Sequence, residues 1–178
     1  MQHICTVILN PSHKRTRILK RKNQFTRDTY RVSKTINAPL RFVYDWCTDY
    51  RENDTKIIGS KSKRTILEKT KQRVIYTIRG GSGTQVWNAA NIVTLHPPKS
   101  WHLDSIGDED DEVGDYKLTS LGSKKTRLDM VFKEIWKTSN VPNHAAYVKH
   151  INEIWDKYKV ALEKDYRKRK LWSPAVLP

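Results

Sequence analysis

From Tyr30 onward, apolar and polar residues alternate in short runs, and the runs stop at clusters of Gly, Pro, Asn and Ser. Residues 30–36 place Tyr30, Val32 and Ile36 on one face, which suits a strand. Asn37-Ala38-Pro39 ends it, and Pro39 is well placed to open a helix. Phe42, Val43, Trp46 and Tyr50 then recur at helical spacing, predicting a short amphipathic helix before the polar connection 51–56. Further strands are predicted over 60–70, 72–79, 84–95, 100–106, 113–121 and 125–136. In the last of these, Leu128, Met130, Phe132, Glu134 and Trp136 share a face. Short turns between strands imply an antiparallel meander.

After Pro142 the period changes. Tyr147, Val148, Ile151, Ile154, Trp155, Tyr158, Ala161 and Leu162 follow steps of three and four, which make one apolar stripe on a helix. If that helix runs from Asn143 to residue 170, it is roughly 40 Å long by its rise per residue. A stripe of that length needs a large apolar partner, and the meander supplies it.

Composition adds two constraints. The 178 residues are 37% hydrophobic, with six Trp and eight Tyr, too rich in aromatics for a disordered chain. The formal charge of +15 is concentrated at the ends. Residues 1–34 hold nine Lys/Arg against Asp28, and residues 164–170 hold five against Asp165, so the body between is nearly neutral. The expected organisation is a basic, flexible arm over 1–29, a folded domain over 30–170 and a tail over 171–178. Basic ends of this kind attract nucleic acid or anionic membrane weakly and in a salt-sensitive way. Cys5 and Cys47 are too few for a disulfide framework or a cysteine zinc site, and a reducing, cytoplasmic setting is the expectation. The apolar run Ile4–Leu9 is too short to cross a bilayer and lacks the basic lead of a signal peptide, so an integral membrane protein is not expected.

The order strand, short helix, meander, long helix resembles the SRPBCC (START/Bet v 1-like) superfamily. The phrase Ile36-x-Ala38-Pro39-x-x-x-Val43-Tyr44-x-Trp46-x-x-Asp49 is similar to that family's strand-to-helix opening. The resemblance covers about residues 30–166 and departs where many members carry a Pro and a Trp, since Arg51-Glu52-Asn53-Asp54 stands there instead. It implies an α+β helix-grip fold: about seven antiparallel strands curved around a long C-terminal helix, with two short helices after the first strand. Within the superfamily the chain looks most like the polyketide-cyclase and lipid-transport branch, whose members bind lipids, isoprenoids, quinones or polyketide-like molecules. The expected ligand-binding residues are Tyr76, Trp87, Trp101, Tyr116, Met130, Phe132, Trp155 and Tyr158. Each taken alone is more often a packing residue.

Three polar residues are candidates for catalysis. Glu134 shares its face with apolar residues and could act as acid, base or ligand anchor, although a strand-end position favours contact with solvent or with a Lys or Arg. His102 and Asp104 alternate on one strand and could form an acid–base pair, but the outer face is preferred for them, with Trp101, Leu103 and Ser105 inside. Asn88 and Asn91 either bond a ligand or face water. Gly80-Gly81-Ser82-Gly83 lacks the Gly-Lys-Ser/Thr of a phosphate loop and reads as a hairpin connection. Asp108 to Glu112, five acids in a row, lacks calcium-loop spacing and reads as a solvated loop. The histidines show no metal-binding spacing, so no metal and no cofactor are expected.

These features favour binding or carrying of a hydrophobic small molecule between sheet and helix. The alternatives are a cyclase, dehydratase or hydrolase on the same scaffold, and an RNA-, ribosome- or anionic-surface-binding module that uses the basic ends.

Overall fold

The structure, a computed structural model, describes residues 25–83, 85–139 and 141–172. Seven strands form one antiparallel sheet: β1 (Thr26–Ile36), β2 (Lys63–Lys69), β3 (Arg73–Ser82), β4 (Gln85–His96), β5 (Ser100–Gly107), β6 (Asp110–Ser120) and β7 (Thr126–Trp136). Their order is β1-β7-β6-β5-β4-β3-β2, so consecutive strands from β2 to β7 pair as hairpins and β1 closes on β7. Helix α1 (Leu40–Cys47) follows β1, and helix α2 (His144–Trp172) ends the described chain. This is the helix-grip arrangement.

Alternation decides which side of the sheet α2 covers. On β7 every second residue from Thr126 to Trp136 is buried, while Arg127 and Lys133 are exposed. Tyr30, Val32, Val74, Val93, Trp101, Leu118, Leu128 and Met130 form the core on that face, against Ile151 and Leu162 of α2. Burying one such side chain stabilises the fold by roughly 1.5–3 kcal/mol.

Polar contacts fix the position of α2. Asn143 caps it, its Oδ1 accepting from the amides of Ala145 and Ala146. Lys34 pairs with Asp156 at 2.7 Å. Glu163 accepts from the Asn37 amide, and Trp46 Nε1 donates to Asp165. The Ala38-Pro39 turn is anchored by the buried Thr126 hydroxyl, which donates to the Ala38 carbonyl.

Three expectations need correction, and both short helices expected after the first strand are present. Strand β1 begins at Thr26 rather than Tyr30, because Thr26–Thr29 pair with Lys133–Trp136. Residues 1–24, including Cys5, and 173–178 lie outside the described residues. The second short helix is a single 3-10 turn, Asp54–Lys56, shaped by the Asp54 carboxylate, which accepts from Arg51 N and Nε. The acidic run is not a loop. Asp108 and Glu109 make the turn, and Asp110–Glu112 already pair with β7.

Strand β3 also runs on through Gly80 and Gly81 to Ser82. Gly80 is required by close approach, since a Cβ there would lie 2.3 Å from the Trp87 ring across the hairpin.

Candidate functional site

A cavity of about 180 Å³ lies between α1, the inner face of the sheet and α2. Helix α1 contributes Trp46 and Cys47, the following turn contributes Tyr50 and Asp54, and β2 contributes Arg64. The sheet floor is Tyr76 of β3, Trp101 and Leu103 of β5, and Tyr116 of β6, with Trp155 and Tyr158 of α2 on the far side. Seven of the eleven lining residues are therefore aromatic. Trp101 stacks on Tyr116 with centroids 4.8 Å apart, and Trp155 stands 6.0 Å from Tyr116.

Arg64 is the charged centre of this wall. Its guanidinium lies 4.7 Å from the Tyr76 ring and 5.6 Å from the Tyr50 ring, beside a pair of rings whose own centroids are 5.5 Å apart. Nη1 donates to Asp54 Oδ2 at 3.0 Å and to the Arg51 carbonyl at 3.2 Å. Nε is buried and has no partner among the described residues. Tyr50 is held at φ 44°, a left-handed conformation that a bulky side chain rarely adopts. Strain of this kind concentrates at functional sites.

Burial sets the protonation of the wall. It pushes the Tyr76 phenol and the Cys47 thiol up to about 12 each, and Tyr50 and Tyr116 well above the ordinary tyrosine value. At neutral pH these groups are uncharged, and the phenols can both donate and accept hydrogen bonds.

A second polar feature follows from the register. Asp28, Glu134, Glu112, Ser105, Asn91 and Tyr76 are successive cross-strand partners from β1 to β3, forming one polar row across the inner face. Burial and the neighbouring Asp110 raise Glu112 to about 7. Burial, Asp110 and Glu112 raise Glu134 to about 9, against the hydrogen bond from Tyr147, which lowers it.

Of the expected ligand-binding residues, Tyr76, Trp101, Tyr116, Trp155 and Tyr158 line the cavity. Trp87 does not; its ring covers Gly80 near the end of the β3–β4 hairpin. Met130 and Phe132 are packed into the core on β7 and do not line the cavity either.

Glu134 does not reach solvent and, among the described residues, pairs with no Lys or Arg. It is 1% exposed and accepts a hydrogen bond from Tyr147. His102 and Asp104 lie on the outer face, where His102 Nδ1 pairs with Asp115 Oδ1 at 2.7 Å and Nε2 meets Asp104 at 3.3 Å. Those carboxylates raise the His102 pKa, Asp115 most.

Arg64, Tyr50 and Glu112 were not anticipated. The alternation through Tyr116 and Leu118 was the available signal for Glu112. Among the described residues no group of His, Cys, Asp and Glu could hold a metal ion, and no helix is long and apolar enough to cross a membrane.

No protein-family model matches the chain, and no curated protein matches its sequence. Solved structures do match. The Zhui aromatase/cyclase from a Streptomyces species superposes with a TM-score of 0.63 at 12% identity, over 81% of this chain and 96% of that one. Ara h 8.0201 gives 0.60 at 11% identity, over 77% and 98%. A START superfamily protein from Mycobacterium smegmatis gives 0.58 at 14% identity, over 79% and 97%. These neighbours are START/Bet v 1-like and aromatase/cyclase proteins of the SRPBCC superfamily, and the chain has their helix-grip fold.

Proposed function

We propose that the protein binds a small, oxygen-bearing aromatic molecule in the cavity between α1, the sheet and α2, as a binding or carrier protein. The observation that carries this reading is Arg64, a guanidinium donor lining an otherwise largely aromatic wall, 4.7 Å from the Tyr76 ring and 5.6 Å from the Tyr50 ring. A phenol, quinone or enolic oxygen is what that donor would hold.

Size narrows the ligand class. Ordinary sites for drug-sized ligands enclose about 300–1,000 Å³, whereas a cavity of about 150 Å³ takes benzene. At about 180 Å³ this cavity suits one ring with a short substituent. A whole lipid or a polycyclic polyketide would require α1 and α2 to separate.

The named activity of the aromatase/cyclase neighbour is a weaker guide. Glu134 does not line the cavity, and His102 and Asp104 face outward, so none of the three catalytic candidates touches a ligand bound there.

Calorimetric titration with phenol, 2-naphthol, anthraquinone and palmitate tests the reading. The expected result is saturable one-to-one binding of the smaller aromatics and none of palmitate. Binding of palmitate alone, or of none of the four, overturns it.

A further inference from the structure

Helix α2 buries Ile151 and Leu162 against the sheet, yet Val160 faces away from it and is 65% exposed. Two surface grooves meet beside this valine. One is lined by Ile57, Val160 and Ala161 together with Asp156, Lys157 and Lys164. The other shares Ile57, Ala161 and Lys164 with it and adds Lys56 and Lys168. Lys157 Nζ donates to the Ile58 carbonyl at 2.9 Å, which fastens the chain after the 3-10 turn onto α2.

The free charge around this apolar centre is of one sign. Lys56, Lys164, Arg167 and Lys168 are exposed, and none of them forms an ion pair among the described residues. The nearby acids are already engaged. Asp156 pairs with Lys34, Asp54 pairs with Arg51 and Arg64, and Asp165 accepts from Trp46 Nε1. Lys157, Val160, Ala161, Lys164 and Lys168 follow helical steps, so they share one side of α2. Glu153, a turn before Lys157, lines neither groove.

We propose that residues 56–58 and this side of α2 form a docking face for an anionic lipid surface. Val160 and Ile57 enter the interfacial layer, and the lysines meet lipid phosphates. Lysine suits that role because its apolar stem covers hydrophobic surface while the ammonium stays in the polar layer. No helix here is long and apolar enough to cross the bilayer, so the contact is peripheral.

Other polyanions match the charge and not the rest of the face. Protein interfaces are enriched in aromatic residues and Arg and depleted in Lys, and single-stranded nucleic acid stacks on aromatic rings. No aromatic residue lines either groove. The exposed aliphatic centre is what a lipid surface covers.

Vesicle sedimentation of the full chain at physiological salt tests the proposal, so that the basic residues before β1 act equally in every variant. The protein is expected to bind phosphatidylcholine vesicles that contain phosphatidylserine and not vesicles of phosphatidylcholine alone. Each lysine near such a surface contributes about fivefold, so Lys164→Gln combined with Lys168→Gln should weaken binding about 25-fold. Val160→Ser should weaken it by about threefold or more, for the apolar area no longer taken from water, and Val160→Leu should tighten it. Unchanged affinity in the double lysine variant overturns the docking face, and so does the absence of vesicle binding. A loss in the lysine variant with no effect of either Val160 change also overturns it and points to a polyanion such as RNA. None of these residues lines the cavity, so phenol titration of the same variants tests the cavity reading separately.

Discussion

The hydroxyl of Tyr147 donates a 2.7 Å hydrogen bond to Oε1 of Glu134 and so joins the first turns of α2 to the inner face of β7. The acceptor is a carboxyl that burial keeps protonated up to about pH 9. It holds its proton in the fold and loses it near pH 4.3 when unfolded. Stability is therefore unaffected by this group below about pH 4, falls as pH rises from there toward 9, and is flat beyond. Glu134→Gln, which keeps an acceptor for Tyr147 and cannot ionise, should be at least about 1 kcal/mol more stable than the wild type at pH 8 and equal to it at pH 4. Urea denaturation at both pH values measures this. Equal stability at pH 8 would show that the carboxyl is not held neutral.

Tyr147→Phe removes the hydroxyl and leaves the ring against Tyr30 and Trp136. Its expected effect is a loss of about 1 kcal/mol, that of one hydrogen bond. The Glu134 pKa should also rise further, since the bond from Tyr147 lowers it. Carboxyl-carbon NMR titration of labelled Glu134 reads that shift.

Arg64 supports the wall and, on the proposed reading, the ligand. Arg64→Met keeps the bulk but removes the donor, and Asp54 is then left with Arg51. The variant should lose about 1–3 kcal/mol in stability. Its affinity for phenol should fall by about tenfold or more, as for a lost charged hydrogen bond. Calorimetry on the folded variant checks it; unchanged affinity would place the ligand away from Arg64.

Filling the cavity separates binding from folding. Leu103→Trp puts a larger ring into a space that Leu103 lines on β5. Overpacking of this kind costs about 1–3 kcal/mol. The variant should fold with the same far-ultraviolet circular dichroism and bind no small aromatic. Retained binding would mean that the ligand sits elsewhere.

The β3–β4 hairpin offers a test of the fold alone. Gly80→Ala places a methyl group against the Trp87 ring, with an expected loss of about 1–3 kcal/mol. In a Trp87→Ala background the same change should cost almost nothing. Thermal denaturation of the four proteins in this cycle measures the coupling.

Much of this architecture could be read from residue spacing. The run Leu128 to Trp136 marked a half-buried strand, and the stripe Tyr147 to Leu162 marked the helix it needed. What escaped depended on partners distant in the chain. Asp28 lies on β1 because Thr26–Thr29 pair with Lys133–Trp136, far along the chain. Glu112 was hidden in a run of acids whose composition suggested solvent, although its parity with Tyr116 placed it inside. Arg64 stands on the edge strand β2, and its burial is possible because Asp54, Tyr50 and Tyr76 are folded around it. Met130 and Phe132 share a face with Glu134, as expected, but the core encloses them. Alternation assigns a side of the sheet and carries no information on where that side opens.

The most direct test of the central claim is the indole region of a nitrogen-15 NMR spectrum during titration with phenol. Trp46, Trp101 and Trp155 line the cavity, whereas Trp87 and Trp136 do not. The account predicts saturable shifts of the first three indole signals with a common dissociation constant, and little movement of the other two. Saturable shifts of Trp87 or Trp136 alone, or no saturable shift at all, would contradict it.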